Sequence, residues 1–138
     1  DTTMGADSTR APEGATTLTT KDDAALIAAW DRRAAAFNAL QELPDNPQGE
    51  GETPERAAQW AIVDAAEEEI QAATACTPRG AELQLWTSAI FMFDAAEDEA
   101  PCYRADFDHF AAKGDALDWR ERLLLSAVRS LRAMGGAA

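Results

Sequence analysis

The residues best suited to chemistry lie in an acidic stretch in the second half of the chain. Five carboxylates there lie close to the single histidine: Glu97, Asp98, Glu99, Asp106, Asp108 and His109. Carboxylates and an imidazole can together hold a divalent cation. Their spacing matches no EF-hand loop, however, and Asp106 and Asp108 would project from different sides of a helix. A solvated acidic segment is therefore favoured and we assign no metal ligands; a metal-dependent site within 94–118 stays an alternative.

The sequence shows no clear motif for nucleophilic catalysis, for phosphate binding or for acid–base catalysis. There is no Gly-x-Ser-x-Gly elbow, and neither Cys76 nor Cys102 lies in a catalytic signature. The sequence Gly49-Glu50-Gly51 is flanked by acids and has no following lysine, so it predicts no phosphate-binding loop. Paired carboxylates such as Glu67 and Glu68 need a cleft that shifts their pKa before they serve as acid and base. The sequence thus names no catalytic residue and no cofactor, and it favours a protein that is not an enzyme.

The charge of the chain restricts its partners. Twenty-five acidic residues against twelve basic ones give a formal charge of −13, which disfavours nucleic acid and anionic membranes and suits a basic protein partner. Arg122, Arg129 and Arg132 lie near one face of the predicted last helix, and pairing with the protein's own acids is their favoured role. An acidic decoy that imitates DNA is a further alternative, although the acids are spread over loops and helices.

The hydrophobic spacing predicts an all-α fold. Residues 1–19 show no periodicity and are expected to form a flexible tail, and residues 20–138 are expected to form one helical domain. We predict an irregular antiparallel bundle of three main helices plus a C-terminal fourth. The predicted main helices cover 20–43, 54–75, 78–96 and 115–134, with a short helix over about 103–113. Thr53-Pro54 and Thr77-Pro78 are start signals for the second and third helices, and Asp115 is expected to cap the last.

The predicted third helix has more apolar faces than one neighbour can cover. Leu85 and Met92 share one face and Phe91 lies on another. A helix that is apolar nearly all round is usually buried, so we expect it at the centre of the bundle, covered mostly by the last helix. The alternative is that Leu85, Phe91 and Met92 bind a partner, and these three are the candidate partner-binding residues. The expected state is a monomer or a weak homodimer.

Two more specific contacts follow from the helix positions. An antiparallel hairpin of the first two helices brings Phe37 near Trp60 and places Arg33 near Asp64 or Glu67, with which the arginine should pair. Cys76 and Cys102 flank the third helix and should be too far apart for a disulfide. Free thiols favour the cytoplasm, although a chain that starts at Asp1 leaves a removed signal peptide open.

Two segments resemble small uncharacterised all-helical proteins of bacterial and prophage-type gene sets. One is Thr77-Pro78-Arg79-Gly80-Ala81 with the following Leu85-Trp86, and the other runs from Trp119 to Ala127. The resemblance covers about 22–134 and implies a helical fold without an assigned activity. Together with the missing catalytic residues, it favours a non-catalytic helical interaction or accessory module of unknown pathway.

Overall fold

The computed structural model describes residues 22–45, 49 and 51–136, and the tail predicted for 1–19 lies outside them. The described residues form six α-helices and no strand, which confirms the all-α prediction. The helices are α1 (Ala24–Glu42), α2 (Pro54–Ala72), α3 (Pro78–Ala89), α4 (Ala96–Tyr103), α5 (Phe107–Ala111) and α6 (Trp119–Gly136), with a 3₁₀ turn at Gly114–Ala116 before the last.

The first two helices form an antiparallel hairpin. Thr53 caps α2 by accepting a hydrogen bond from the Arg56 backbone N–H, and Pro54 occupies the first turn. The Arg56 side chain crosses to α1, where Nη1 donates to the carbonyls of Leu40 (3.1 Å) and Leu43 (3.3 Å). The Leu40 carbonyl also accepts from the Leu43 N–H at 3.3 Å, and the Leu43 carbonyl lies beyond the last residue of α1. Arg56 therefore closes the C-terminal end of that helix.

Helix α3 lies at the centre and packs antiparallel against α6. Its Leu83 and Trp86 are fully buried, as expected for the central helix. At the far end of α6, Arg132 donates from Nε to Glu82 Oε2 at 2.9 Å, and Glu82 also accepts from the Trp86 indole at 3.0 Å. The expected pairing of an α6 arginine with an internal acid therefore holds for Arg132. The last helix covers α3, as the sequence predicted.

The third helix is shorter than predicted. It ends at Ala89 rather than near residue 96, and the chain then turns so that Phe93 is buried against Phe110 while Phe91 faces solvent. A new helix, α4, begins at Ala96 with three acids in its first turn, where the helix dipole favours negative charge. The acids that suggested a loop are therefore the start of a helix.

The predicted short helix at about 103–113 corresponds to α5, which covers Phe107–Ala111. The helix before it, α4, was not predicted; it ends at Tyr103 and contains Pro101. The last helix begins at Trp119, and its cap is Asp118 instead of Asp115. Asp118 Oδ1 accepts from the Glu121 backbone N–H (2.8 Å), while Glu121 Oε1 accepts from the Asp118 N–H (2.7 Å), a reciprocal capping box.

A buried carboxylate from the first hairpin fixes the start of α3. Asp23 lies just before α1, and its Oδ1 accepts from the Cys76 N–H at 2.8 Å. Its Oδ2 accepts from the N–H of Thr77 at 2.9 Å and from the Thr77 hydroxyl. Burial alone would raise the pKa of Asp23, but these hydrogen bonds together outweigh it and lower the pKa below its ordinary value of 3.8. Asp23 thus joins the hairpin to α3.

The absence of a side chain at Gly80 makes space for the Asp23 carboxylate. A Cβ at this position would lie 2.0 Å from Asp23 Oδ2, whereas one at Gly135 would meet Pro78 at an ordinary 3.5 Å. We therefore expect Gly80→Ala to displace the carboxylate and lower the free energy of unfolding by about 1–3 kcal/mol. Gly135→Ala is the matched control and should stay within about 0.5 kcal/mol of the parent. Urea unfolding measures both, and equal effects of the two substitutions would contradict the packing described.

The lowered pKa of Asp23 also makes stability depend on pH. Its contribution is fully present above the ordinary value of 3.8 and is lost as the pH falls through the lower folded-state pKa. Asp23→Asn places an amide N–H₂ against backbone donors, so it should destabilise the protein at neutral pH. It should also flatten the loss of stability below pH 3.8. Urea unfolding between pH 2.5 and 7 tests this, and an unchanged acid slope in the variant would show that Asp23 does not carry it.

Candidate functional site

The three candidate partner-binding residues differ in their exposure. Leu85 is half-buried and packs against the main core. Phe91 is 82% exposed and Met92 is 36% exposed, both in the turn that follows α3. Of the three, Phe91 lines a cavity, and this cavity is the candidate site.

The cavity is a groove between α2 and α3 with a volume of about 420 Å³. Ile70 is buried at its base, and Phe91 contributes an exposed aromatic ring. The lining residues are Glu67, Ile70, Gln71, Gln84, Thr87, Ser88 and Phe91. An apolar base with an exposed ring and several polar groups is typical of a small binding site. We call it the α2–α3 groove.

The hydrogen-bond donors of the α3 side of this groove are already used. Gln84 Nε2 donates to the carbonyls of Ile70 (3.1 Å) and Ala73 (2.8 Å) at the end of α2. The hydroxyls of Thr87 and Ser88 donate to carbonyls one turn back in α3, at 2.8 and 2.7 Å. The hydrogen-bonding groups that remain free on these side chains are the Gln84 carbonyl oxygen and the hydroxyl lone pairs, all of them acceptors. This wall of the groove therefore offers acceptors.

The opposite side carries a carboxylate held by a buried arginine. Arg33 Nε donates to Glu67 Oε2 at 2.8 Å, which confirms the predicted pairing of Arg33 with Asp64 or Glu67. The Arg33 side chain is fully buried, whereas 22% of the Glu67 side chain is exposed. Glu67 thus joins the α1–α2 seam to the groove, and its carboxylate adds further acceptor capacity there.

Aromatic rings enclose the guanidinium of Arg33. Its central carbon lies 4.1 Å from the centre of the Tyr103 ring and 5.3 Å from that of Trp30. The Tyr103 ring stacks on Phe37 at 4.1 Å. Burial raises the pKa of Tyr103 to about 12; the Arg33 charge opposes this rise and nearby carboxylates add to it. Trp60, the expected neighbour of Phe37, packs against the same cluster. Sequence reasoning missed Tyr103 because it comes from α4, far along the chain.

Two donor groups of Arg33 are left without acceptors. Nη1 and Nη2 are both buried, and neither has a hydrogen-bond partner among the described residues. The rings of Tyr103 and Trp30 offer cation–π attraction, which partly compensates for the lost water. The Glu67 carboxylate is therefore the one anionic group that the described structure brings to this buried charge.

The acidic segment forms a buried ion cluster and not a ring of ligands. Asp98 is buried, and its Oδ1 lies 2.8 Å from His109 Nε2 and 3.2 Å from Lys113 Nζ. Asp106 instead caps α5 by accepting from the His109 N–H. Within 22–45, 49 and 51–136, no three or more histidine, cysteine or carboxylate groups converge as metal ligands. The Lys113 ammonium at Asp98 Oδ1 also supplies a positive charge where a metal cation would otherwise sit.

Both cysteines are free thiols, Cys76 exposed and Cys102 buried. Burial, and after it the nearby Asp98 carboxylate, raises the pKa of Cys102 to about 12. A thiol with such a pKa has almost no thiolate at neutral pH, so Cys102 is unsuited to nucleophilic attack.

Comparison with protein-family profiles, with curated proteins and with solved structures gives no match to this chain. None of the described helices is both long and apolar enough to cross a bilayer.

The Arg33–Glu67 pair leads to a direct stability test. Glu67→Ala would leave a buried charge without its carboxylate and should cost about 3–5 kcal/mol, whereas Arg33→Met removes the charge itself and should cost less. The neighbouring pair Arg32–Glu69 is exposed at both ends, so Glu69→Ala is the matched control and should cost under about 1 kcal/mol. Urea unfolding of the three variants decides; a Glu67→Ala protein as stable as Glu69→Ala would contradict burial of the Arg33 charge.

Proposed function

We propose that this protein is a non-catalytic interaction module that binds a basic segment of a partner protein in the α2–α3 groove. The proposal rests on four of the five polar side chains that line the groove; the fifth is the Gln71 amide, which can donate as well as accept. Gln84, Thr87 and Ser88 have donated their hydrogens to helix carbonyls, and Glu67 is an anion. Groups of this kind accept hydrogen bonds from a cation and offer few to an anion.

The exposed ring of Phe91 supports the same kind of ligand. An arginine or lysine over an aromatic face gains about 0.5–1 kcal/mol at an exposed site. The ring is 82% exposed at the groove, so its face is accessible to an incoming side chain. A cation–π contact with that side chain is part of the proposal. Ile70 would contact the aliphatic part of that side chain.

The size of the groove and the charge of the chain agree with a short basic segment. A volume of about 420 Å³ is near the lower end for ligand sites, which suits one or two side chains better than a large ligand. The formal charge of −13 would speed the approach of a basic partner. As part of the proposal, the chain acts as a monomer or weak dimer, and its free thiols suit the cytoplasm.

Peptide binding tests the proposal. We expect a short fluorescein-labelled peptide with two arginines and one leucine among serines to bind the full chain, and the same peptide with glutamates for arginines to bind far more weakly. Phe91→Ala should weaken the arginine peptide by about two- to fivefold, which is the loss of one exposed cation–π contact. Ser88→Lys places the protein's own cation at the groove and should abolish binding. Fluorescence anisotropy measures all four affinities.

The neighbouring residue Met92 provides the control. It is exposed in the same turn but does not line the groove, so Met92→Ala should leave the affinity unchanged. Arginine and glutamate peptides of equal affinity would contradict a groove that selects cations. So would undiminished binding to Ser88→Lys.

A further inference from the structure

The outer face of α6 carries large apolar side chains that the fold does not use. Trp119, Leu123 and Met134 are 68%, 60% and 65% exposed, although Leu124 and Val128 on the inner face are buried. Trp119 and Leu123 are one turn apart, and Met134 lies on the same side of the helix three turns further on. We call these three residues the outer stripe.

The outer stripe has the shape of a helix-pairing seam. Ala127 and Ser130 fall between Leu123 and Met134 on the same side, so the apolar or small positions follow one another at steps of four, four, three and four residues. Such spacing keeps side chains on one face of a helix. The small residues in the middle would let the backbone of a second helix come close.

The flanks of the stripe are basic, in contrast to the rest of the chain. Helix α6 holds four of the twelve basic residues and a single acid, Glu121. Arg122 and Arg129 lie along one edge of the stripe, and both are exposed. Arg129 lies 5.4 Å from the centre of the Phe107 ring, and no described carboxylate lies within ion-pair distance of either arginine. The edge therefore presents positive charge to whatever covers the stripe.

We propose that the outer stripe binds an amphipathic helix with acidic flanks, supplied by another protein. Three partners could cover an apolar helix face: a second copy of the chain, a membrane, or a helix of another protein. Their charges distinguish them. A second copy pairing through the same stripe would set the arginines of both copies along one seam, where like charges repel. An anionic membrane is an extended negative surface, which a chain of charge −13 repels more strongly than it repels a short helix with a few glutamates placed beside the arginines. A helix with glutamates beside its apolar residues meets both the stripe and the arginines. This surface is on α6 and is independent of the α2–α3 groove.

The test uses two synthetic helical peptides with the same leucine seam, one with glutamates and one with lysines at the flanking positions. The full chain should bind the glutamate peptide at least about tenfold more tightly, a difference of about 1.4 kcal/mol. The double substitution Arg122→Glu and Arg129→Glu should reverse this preference. Fluorescence anisotropy of the labelled peptides measures the four affinities.

Two further variants separate the stripe from other surfaces. Leu123→Ser should weaken both peptides, whereas Ile62→Ser, on an exposed apolar side chain of α2, should leave them unchanged. Ser88→Lys should also leave them unchanged, so failure of the groove proposal does not affect this result. Equal binding of the two peptides overturns the proposal. Self-association of the chain that Leu123→Ser abolishes would also overturn it, because a second copy would then be the occupant.

Discussion

Burying a guanidinium costs several kcal/mol of lost hydration. In this fold Arg33 is such a group, and three helices supply the contacts that compensate for the loss. The side chain is fully buried, and a single carboxylate, Glu67 on the neighbouring helix, reaches it among the described residues. Sliding α2 by one turn would separate the two charges. The pair therefore fixes the register of the α1–α2 hairpin. Tyr103 covers the guanidinium and brings α4 to the same place.

The same pair shapes the groove. Because Glu67 is tied to Arg33 through one oxygen, its carboxylate is held between the α1–α2 seam and the groove. The net charge of the pair is zero, so the proposed preference for cations depends on the oriented acceptors of the groove together with the negative charge of the whole chain. Gln84 adds to this by capping the end of α2 with both amide hydrogens, which leaves its carbonyl oxygen. The hydrogen bonds that stabilise the helices therefore leave mainly acceptor atoms on these groove side chains.

Features with a local cause could be predicted from the sequence. Thr53-Pro54 and Thr77-Pro78 do begin α2 and α3, because a cap and a first-turn proline act within one turn of helix. The Arg33–Glu67 pair followed from an antiparallel register and from the need of a buried charge for a partner. Phe91 was named as a candidate because the helix was too apolar, and it does line the groove.

Features that depend on distant residues could not be predicted. The end of α3 at Ala89 allows Phe93 to reach Phe110, which no local pattern near residue 90 reveals. Tyr103 stacks on Phe37 across 66 positions of sequence. The groove presents acceptors because Gln84, Thr87 and Ser88 donate their hydrogens to backbone carbonyls, which only the folded structure shows. The exposure of Trp119 and Leu123 depends on which side of α6 faces α3, and this side is set by packing with the rest of the fold.

The central claim is that the α2–α3 groove accepts cations and rejects anions of the same shape. Two small molecules test it most directly, n-butylammonium and butyrate, which share an aliphatic chain and differ in the sign of their charge. Each is titrated into the ¹⁵N-labelled protein at constant ionic strength while amide chemical shifts are followed. We predict that butylammonium shifts the amides of Thr87, Ser88 and Phe91 in a saturable manner and that butyrate does not. Equal shifts with both ions, or larger shifts with butyrate, would contradict the account.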